Sequence, residues 1–451
     1  MKRIAVITLV LGCMTAAGAA AETAQLNLSL NQAVDQALRH SDRLQAKAFE
    51  LEAFRSRASA QSSLLWPRLS FDATYRYQSQ IPALQVFPAL PAVELGARNN
   101  YSLGPTVAWS FFDSGGTYFA WRAAQAASRA KEDEWLALQR EIRLQTRLAY
   151  FQTQMALAQV QLLSDQLHVS RVQYRDISNR TQAGQASRID LLSAHQDVLS
   201  NQRQLRQTRT DLSSALRDLL NLTGGGEDLD LSNPAEVGTT PTAEAGPAPT
   251  VWLALDPLDQ SLAKLEPAAH SQPDSAYPQV KMFLELADAG RRSADSIGSG
   301  YWPKGQVSFR SSLDYPNGPI LETINQNTFA VNATWAYDFG RTPNQIAEQR
   351  HNAELNAKQA EQAVTDLQLN WQKAQDQVAQ FRDLQAYDQQ AVQETEELAR
   401  LVYQSYRIGR SSYLEVQNAN YRALGAKIQS VRTDVLLLIQ LATLESMSPL
   451  Q

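Results

Sequence analysis

The sequence predicts a mostly α-helical chain with a small β part, in which long coiled-coil-like helices and four strands are arranged as an internal two-fold repeat. Three observations carry that prediction. Between Thr342 and Glu445 apolar residues recur at steps of four and three. They run Ala360, Val364, Leu367, Trp371, Ala374, Val378 and Phe381, resume at Ala391, Leu398 and Val402, and continue beyond Gly409 at Leu414, Tyr421, Leu424, Ile428, Val431, Val435, Leu438 and Ala442. Such spacing keeps one seam of a helix apolar over many turns, as coiled-coil packing requires. Second, four short runs alternate with period two, the pattern of a strand with one apolar and one polar face. Third, three markers occur twice: Trp66-Pro67 and Trp302-Pro303, Asp113-x-Gly115 and Asp338-x-Gly340, Gly184 and Gly409. From the second marker to the third is 71 residues in both copies.

In chain order, residues 1–21 read as a secretory signal peptide. Lys2 and Arg3 supply the positive start, Ile4 to Leu11 the apolar core, and Ala19-Ala20-Ala21 a small-residue cleavage site before Glu22. The competing reading is a lipoprotein signal acylated at Cys13, which Val10-Leu11-Gly12 fits poorly. Cleavage after Ala21 leaves a mature chain without cysteine, hence without a disulfide framework or a thiolate site. It also makes the formal net charge of −5 two units more negative. An acidic exported chain with no basic block is not organised for nucleic acid. No later apolar run approaches the roughly 18 residues of a membrane-spanning helix, so entry into a membrane would be through strands.

The first repeat, residues 22–223, opens with a helical segment from Leu30 to Leu65 preceded by Ser29. Strands follow over residues 68–78 and 100–112, then long helices over 114–182 and 187–222. A Pro-bearing insertion, Ile81 to Leu95, marks a loop between its strands. Residues 224–275 are rich in Gly, Pro and acidic residues, and read as a loose connection lacking the apolar content for a core. The second repeat, 276–451, has a helical segment from Tyr277 to Ile297, strands over 305–315 and 327–338, and helices over 342–408 and 411–446. A helix of such length would extend on the order of 100 Å, more than one globular domain holds. The expected chain is therefore elongated.

On the strands, Leu69, Phe71, Ala73, Tyr75 and Tyr77 alternate with polar residues, as do Tyr101, Leu103, Val107, Trp109 and Phe111. Val307, Phe309, Leu313 and Tyr315 do the same, and so do Phe329, Val331, Ala333, Trp335 and Tyr337. Runs of about ten residues match a tilted strand crossing a bilayer, with aromatic residues gathered toward the ends as an interfacial girdle. A soluble sheet packed on helices shows the same alternation, but so long a helix offers it no globular core. Four strands do not close a barrel, and an open edge cannot sit in lipid because its unpaired backbone groups cost several kcal/mol each. Other copies of the chain must complete them. Two copies would give a side-chain-filled barrel and three a water-filled one.

No catalytic constellation is present: G-x-x-x-x-G-K-[ST], H-E-x-x-H, G-x-S-x-G and C-x-x-C are all missing. His40, His168, His195, His270 and His351 lie singly, without ligand spacing. The chain reads as a non-enzyme with no cofactor, metal or catalytic residue. What remains are the turns. Gly184 and Gly409 mark helix ends, and Ser187-Arg-Ile-Asp190 overlays Ser412-Tyr-Leu-Glu415, the latter a capping box in which Ser412 and Glu415 satisfy the first free N–H groups of a helix.

The duplicated order of helix, strand, strand, long helix, Gly-tipped turn and long helix resembles the TolC-like outer-membrane efflux proteins over nearly all of the mature chain. Trp66-Pro67, Phe112-Asp113-x-Gly115, Tyr337-Asp338-x-Gly340 and Tyr406-Arg-Ile-Gly409 carry the resemblance. It implies a homotrimer pooling four strands per chain into one outer-membrane β-barrel, with a helical α-barrel crossing the periplasm. It implies a periplasmic adaptor and an inner-membrane pump docking at the tip, and a role in efflux or type I secretion. It implies a latch in which Tyr406 bonds Asp190, although Ser411 stands where the family commonly has a basic residue. It implies a constriction at the tunnel tip, where a three-fold axis would bring the Glu415 carboxylates around one opening and such a ring would select cations; the family often has a second acid three residues on, and here that position is Asn418. A structural coiled-coil protein tying the outer membrane to the cell wall is the alternative.

Overall fold

The computed structural model describes residues 24–84, 93–225, 237–238 and 251–449. The signal peptide expected over residues 1–21, with Cys13, lies outside them, as do the centre of the Ile81–Leu95 insertion and much of the acidic connection. In order, the elements are β1 (Ala24–Leu28), α1 (Leu30–His40), α2 (Asp42–Ser63), β2 (Arg68–Tyr77), β3 (Ala83–Leu84), β4 (Val93–Glu94) and β5 (Asn99–Phe112). Then come α3 (Gly116–Gln182), α4 (Arg188–Thr223), β6 (Val237–Gly238), β7 (Val251–Leu255), α5 (Leu258–Leu265) and α6 (Pro278–Gly298). The chain finishes with β8 (Lys304–Tyr315), β9 (Ile324–Thr334), α7 (Arg341–Arg407) and α8 (Tyr413–Met447). Both α3 and α7 have 67 residues, about 100 Å of helix each at 1.5 Å per residue.

The chain divides into two compact units. One is drawn from Met1–His40, Arg143–Ser271 and Ala374–Glu445, the other from Ser41–Ile142, Gln272–Lys373 and Ser446–Gln451. The first unit holds the interhelical turns. Its core joins Leu163 and Leu167 of α3 with Val198, Leu205, Leu212 and Leu216 of α4, Leu253 of β7 and Leu424 of α8. These residues recur at helical spacing, so each helix turns one apolar stripe inward.

The second unit holds an antiparallel sheet in the order β2-β5-β8-β9. Its register puts apolar residues of all four strands in common rows: Leu69, Val107, Phe309 and Phe329 form one, and Trp109, Val307 and Val331 another. Between the two hairpins, β5 and β8 approach so closely at Gly104 that a side chain there would stand 2.0 Å from the Ser311 carbonyl oxygen. Only glycine permits that contact. The strand ends are tied to the preceding helices in the same way in both repeats. Trp109 Nε1 donates to the Leu65 carbonyl at 3.0 Å and Trp335 Nε1 to that of Tyr301 at 3.2 Å, each residue just ahead of a Trp-Pro pair. The Asp-x-Gly motifs open the long helices. Asp113 accepts from Gly115 N at 3.1 Å and Thr117 N at 2.6 Å, and Asp338 from Gly340 N at 3.0 Å and Arg341 N at 2.9 Å. Alongside α3, α2 is held by charge: Lys47 and Lys131 each bridge Glu50 and Glu134.

Three features differ from the sequence-based expectation. The segment from Leu30 to Leu65 is two helices, because Ser41 caps a new one by accepting from Leu44 N. The fourth strand spans Ile324–Thr334, so Trp335 and Tyr337 lie beyond it. Residues 224–275 are not all loose connection. β7 pairs in parallel with β1 from Ala24↔Val251 to Leu28↔Leu255, and α5 follows it. The buried Tyr150 hydroxyl of α3 stitches both strands, donating to the Leu28 carbonyl and accepting from Asp256 N, each at 2.9 Å. Two five-residue strands more than 220 positions apart leave no periodic signal, which is why composition alone misjudged the stretch.

Candidate functional site at the interhelical turns

The two turns of the first unit are built alike. Gly184 and Gly409 have φ of 72° and 76°, the left-handed region that a side chain disfavours. Gly184 N donates to the Thr181 carbonyl and Gln185 N to that of Arg180; Gly409 N donates to the Tyr406 carbonyl and Arg410 N to that of Ser405. Both are therefore Schellman ends, satisfying the last free carbonyls of α3 and α7. Next come the caps. Ser187 Oγ accepts from Asp190 N at 3.1 Å. Ser412 Oγ accepts from Glu415 N at 3.4 Å, while Ser412 N donates back to Glu415 Oε2 at 3.2 Å. The box at Ser412 is closed and reciprocal. Glu415 is exposed and its remaining carboxylate oxygen is turned to no helix donor.

Beneath the turns the four helix ends share a small core of Ile177, Ala194, Tyr406, Tyr413 and Val416. Tyr406 and Tyr413 meet edge to face with ring centroids 5.7 Å apart. Acids come from the first repeat and tyrosines from the second. Tyr403 donates to Asp176 Oδ2 at 3.0 Å and Tyr413 to Asp197 Oδ2 at 2.9 Å. Gln417 completes Asp197 by donating to its other oxygen. Arg180 adds a link between the turns, pairing with Asp176 and donating to the Arg407 carbonyl at 3.0 Å.

Asp190, the partner expected for Tyr406, lies beside it. The Tyr406 hydroxyl is buried without a hydrogen-bond partner. Burial first, then the Asp190 charge, with a weaker hydrogen-bonding contribution from the same carboxylate, raises the Tyr406 pKa, so the pair is close but falls short of full hydrogen-bond geometry. The contacts that join the repeats run instead through Tyr403 and Tyr413, which the sequence reading did not single out. Asp197 was visible as an oddity, a carboxylate on the buried stripe Ala194, Asp197, Val198, Asn201, Leu205 of α4. Only 6 % of it is exposed. Burial raises its pKa against the lowering effect of Tyr413, Gln417 and Tyr421. Burial also raises the Tyr413 hydroxyl, with Asp197 adding to it, and pushes Tyr403 up to about 12.

Among the described residues, no group of three or more His, Cys, Asp or Glu side chains is placed to hold a metal ion. Among the same residues, no helix is long and apolar enough to cross a membrane. The four-stranded sheet carries a broad exposed apolar surface. One face carries Phe71, Phe329 and Val331 at 68 %, 69 % and 59 % exposure, and the other carries the polar alternates.

A strand sheet with an outward apolar face, coupled in a duplicated chain to long helices with glycine-tipped turns, is the architecture of TolC-like barrel-and-helix channels. The sequence profile of the outer membrane efflux protein family matches residues 33–225 and 279–448, most of the chain, and this protein belongs to that family. The gap between the matched stretches contains the acidic connection and β7. Among solved structures the chain is similar to the outer-membrane channel OprN, with 17% identity, a TM-score of 0.72, and 93% of this chain and 89% of that one covered. It is also similar to VceC of Vibrio cholerae (16% identity, TM-score 0.70, 93% and 95% covered) and to the CmeC channel of Campylobacter jejuni (14%, 0.73, 93% and 85%). At these identities the likeness is one of fold. No curated protein sequence matches the chain.

Proposed function

We propose that three copies of the chain pool β2, β5, β8 and β9 into one twelve-strand barrel, the outer-membrane exit duct of a tripartite efflux or type I secretion system. The sheet is the observation that carries this reading. Its apolar face is in register across all four strands, and the outer edges of β2 and β9 have no partner strand among the described residues. Lipid does not tolerate such edges, so neighbouring copies must cover them. The helix α7 supports the same conclusion. It buries Ala353, Ala360, Leu367 and Ala374, one residue per heptad, and leaves Leu355, Leu369 and Tyr387 exposed for neighbours.

In this reading the turns are the periplasmic gate, met by an adaptor protein and an inner-membrane pump. The Tyr413–Asp197 and Tyr403–Asp176 bonds hold each chain's helix pairs together there. Glu415 carboxylates from three chains ring the opening and favour cations. Purified protein in a planar bilayer tests both levels. Conductance is expected, with cation selectivity and block by trivalent cations. Glu415→Gln should abolish the selectivity and the block at nearly unchanged stability, because glutamine serves the same place in a capping box. Unaltered selectivity would reduce Glu415 to a helix cap. Absence of any conductance would favour the non-transporting coiled-coil tether.

A further inference from the structure

The polar face of the four-stranded sheet is sorted by charge along the strands. Lys304 lies in the row with Thr334, Arg68 in the row with Ala108, Ser308 and Ala330, and Arg310 in the row with Ser70, Thr106 and Thr328. Residues two apart on a strand share a face, so these three side chains project to the same side. Lys304 and Arg68 lie at the end of the sheet from which α3 and α7 depart, and Arg310 lies midway along β8. The first carboxylate on this face, Asp72, is one row beyond Arg310, and Asp314 follows in the row with Thr74 and Ser102. Arg76 closes the far end of β2.

The basic end is only partly neutralised. Arg310 donates to Ser102 Oγ at 2.9 Å and stands 4.0 Å from Asp72 Oδ2, an oxygen that already accepts from Ser70 at 3.2 Å and Thr106 at 3.0 Å. Asp314 accepts from Ser312 at 3.0 Å. Lys304 acts on Asp113, just past the end of β5, by charge alone. Arg68 and Lys304 are both exposed and form no ion pair among the described residues. Charges of one sign lining a low-dielectric cleft concentrate counter-charges from solution.

We propose that Lys304, Arg68 and Arg310 form an anion-binding band on the inner wall of the strand region, selecting solutes that carry carboxylate, sulfonate or phosphate groups. The inference rests on the pooled-strand reading above, since it needs the polar faces of several copies to surround one lumen. It places an anion-attracting element in series with the acidic ring at Glu415, so that the conduit favours passage of molecules bearing both charges.

Tripolyphosphate is the probe. Added to wild-type channels in a planar bilayer at low salt, it should lower conductance in a saturable way. An Arg68→Gln/Lys304→Gln double variant should need about tenfold more tripolyphosphate for the same block. Arg68→Lys/Lys304→Arg should restore the wild-type block and thereby separate loss of charge from loss of fold. In 1 M salt, where screening acts over about 3 Å, the block should vanish in every variant. Equal block in the wild type and the double variant, or no block of a conducting wild type, would overturn the band. Failure of the pooled-strand reading is distinguishable, because then neither protein conducts and the band falls with the lumen.

Discussion

At the scale of single residues, the turns separate two tyrosines that the sequence presents alike. Tyr413 is 1 % exposed and its hydroxyl donates to the buried Asp197 carboxylate, whereas the Tyr406 hydroxyl is buried and unbonded. Removing a donor from a buried carboxylate costs about 1–3 kcal/mol. Tyr413→Phe should therefore lower the thermal midpoint and, if the pair restrains the gate, raise single-channel conductance. Tyr406→Phe removes a hydroxyl that reaches no partner in full hydrogen-bond geometry and should change stability by no more than about 0.5 kcal/mol. Equal effects would place the restraint at Tyr406 after all. Asp197 adds a pH signature. Its folded pKa is raised, so its contribution is full below the ordinary carboxylate range and is lost as pH rises through the folded value. Asp197→Asn, which imitates the protonated acid, should gain on the wild type at neutral pH. Thermal midpoints of the two should converge below about pH 4.

At the scale of elements, the Asp-x-Gly motifs give a prediction of opposite sign. Burial works to raise the Asp113 pKa, but bonds from Thr117 and Gly115 and the charge of Lys304 outweigh it, and the net shift is downward. A depressed carboxylate stabilises above its unfolded pKa of about 3.9 and loses that contribution as pH falls through the folded value. Asp113→Ala should cost about 1 kcal/mol near neutral pH, a typical helix-cap loss kept modest by solvent screening, and almost nothing at the acid end. A deficit independent of pH would mean that the cap works by shape alone. The motif was legible as a repeat marker, and its role followed once Gly115 and Thr117 were seen to donate to one side chain.

The same scale shows what the sequence could and could not carry. Strands β2, β5, β8 and β9 were readable because a period-two pattern needs only neighbours, and the Gly184 and Gly409 turns because glycine there answers a backbone angle. The pairing of β1 with β7 was not readable, since each is five residues long and Tyr150, which bonds the ends of both, lies in neither. The bond from Tyr413 to Asp197 spans 216 positions and crosses the repeat. Asp197 announced itself only as a charge on an apolar stripe, without naming its partner. Local periodicity reports faces; it does not report which faces meet.

At the scale of the whole molecule, the sheet must meet lipid on one side and water on the other. Val331 shares a row with Val307 and Trp109, and Asn332 one with Gln306. Val331→Asp should lose outer-membrane assembly, because a charge facing lipid costs up to a few kcal/mol near the midplane, while Asn332→Asp should keep it. Equal recovery of both variants in the outer-membrane fraction would argue that these strands never contact lipid. The central claim is that the four strands of one chain are a third of a barrel, and native mass spectrometry of the detergent-extracted complex tests it most directly. A single species of three mature chains is expected. A species of one chain, with both edges of the sheet left open, or of two chains, with a side-chain-filled barrel, would contradict it.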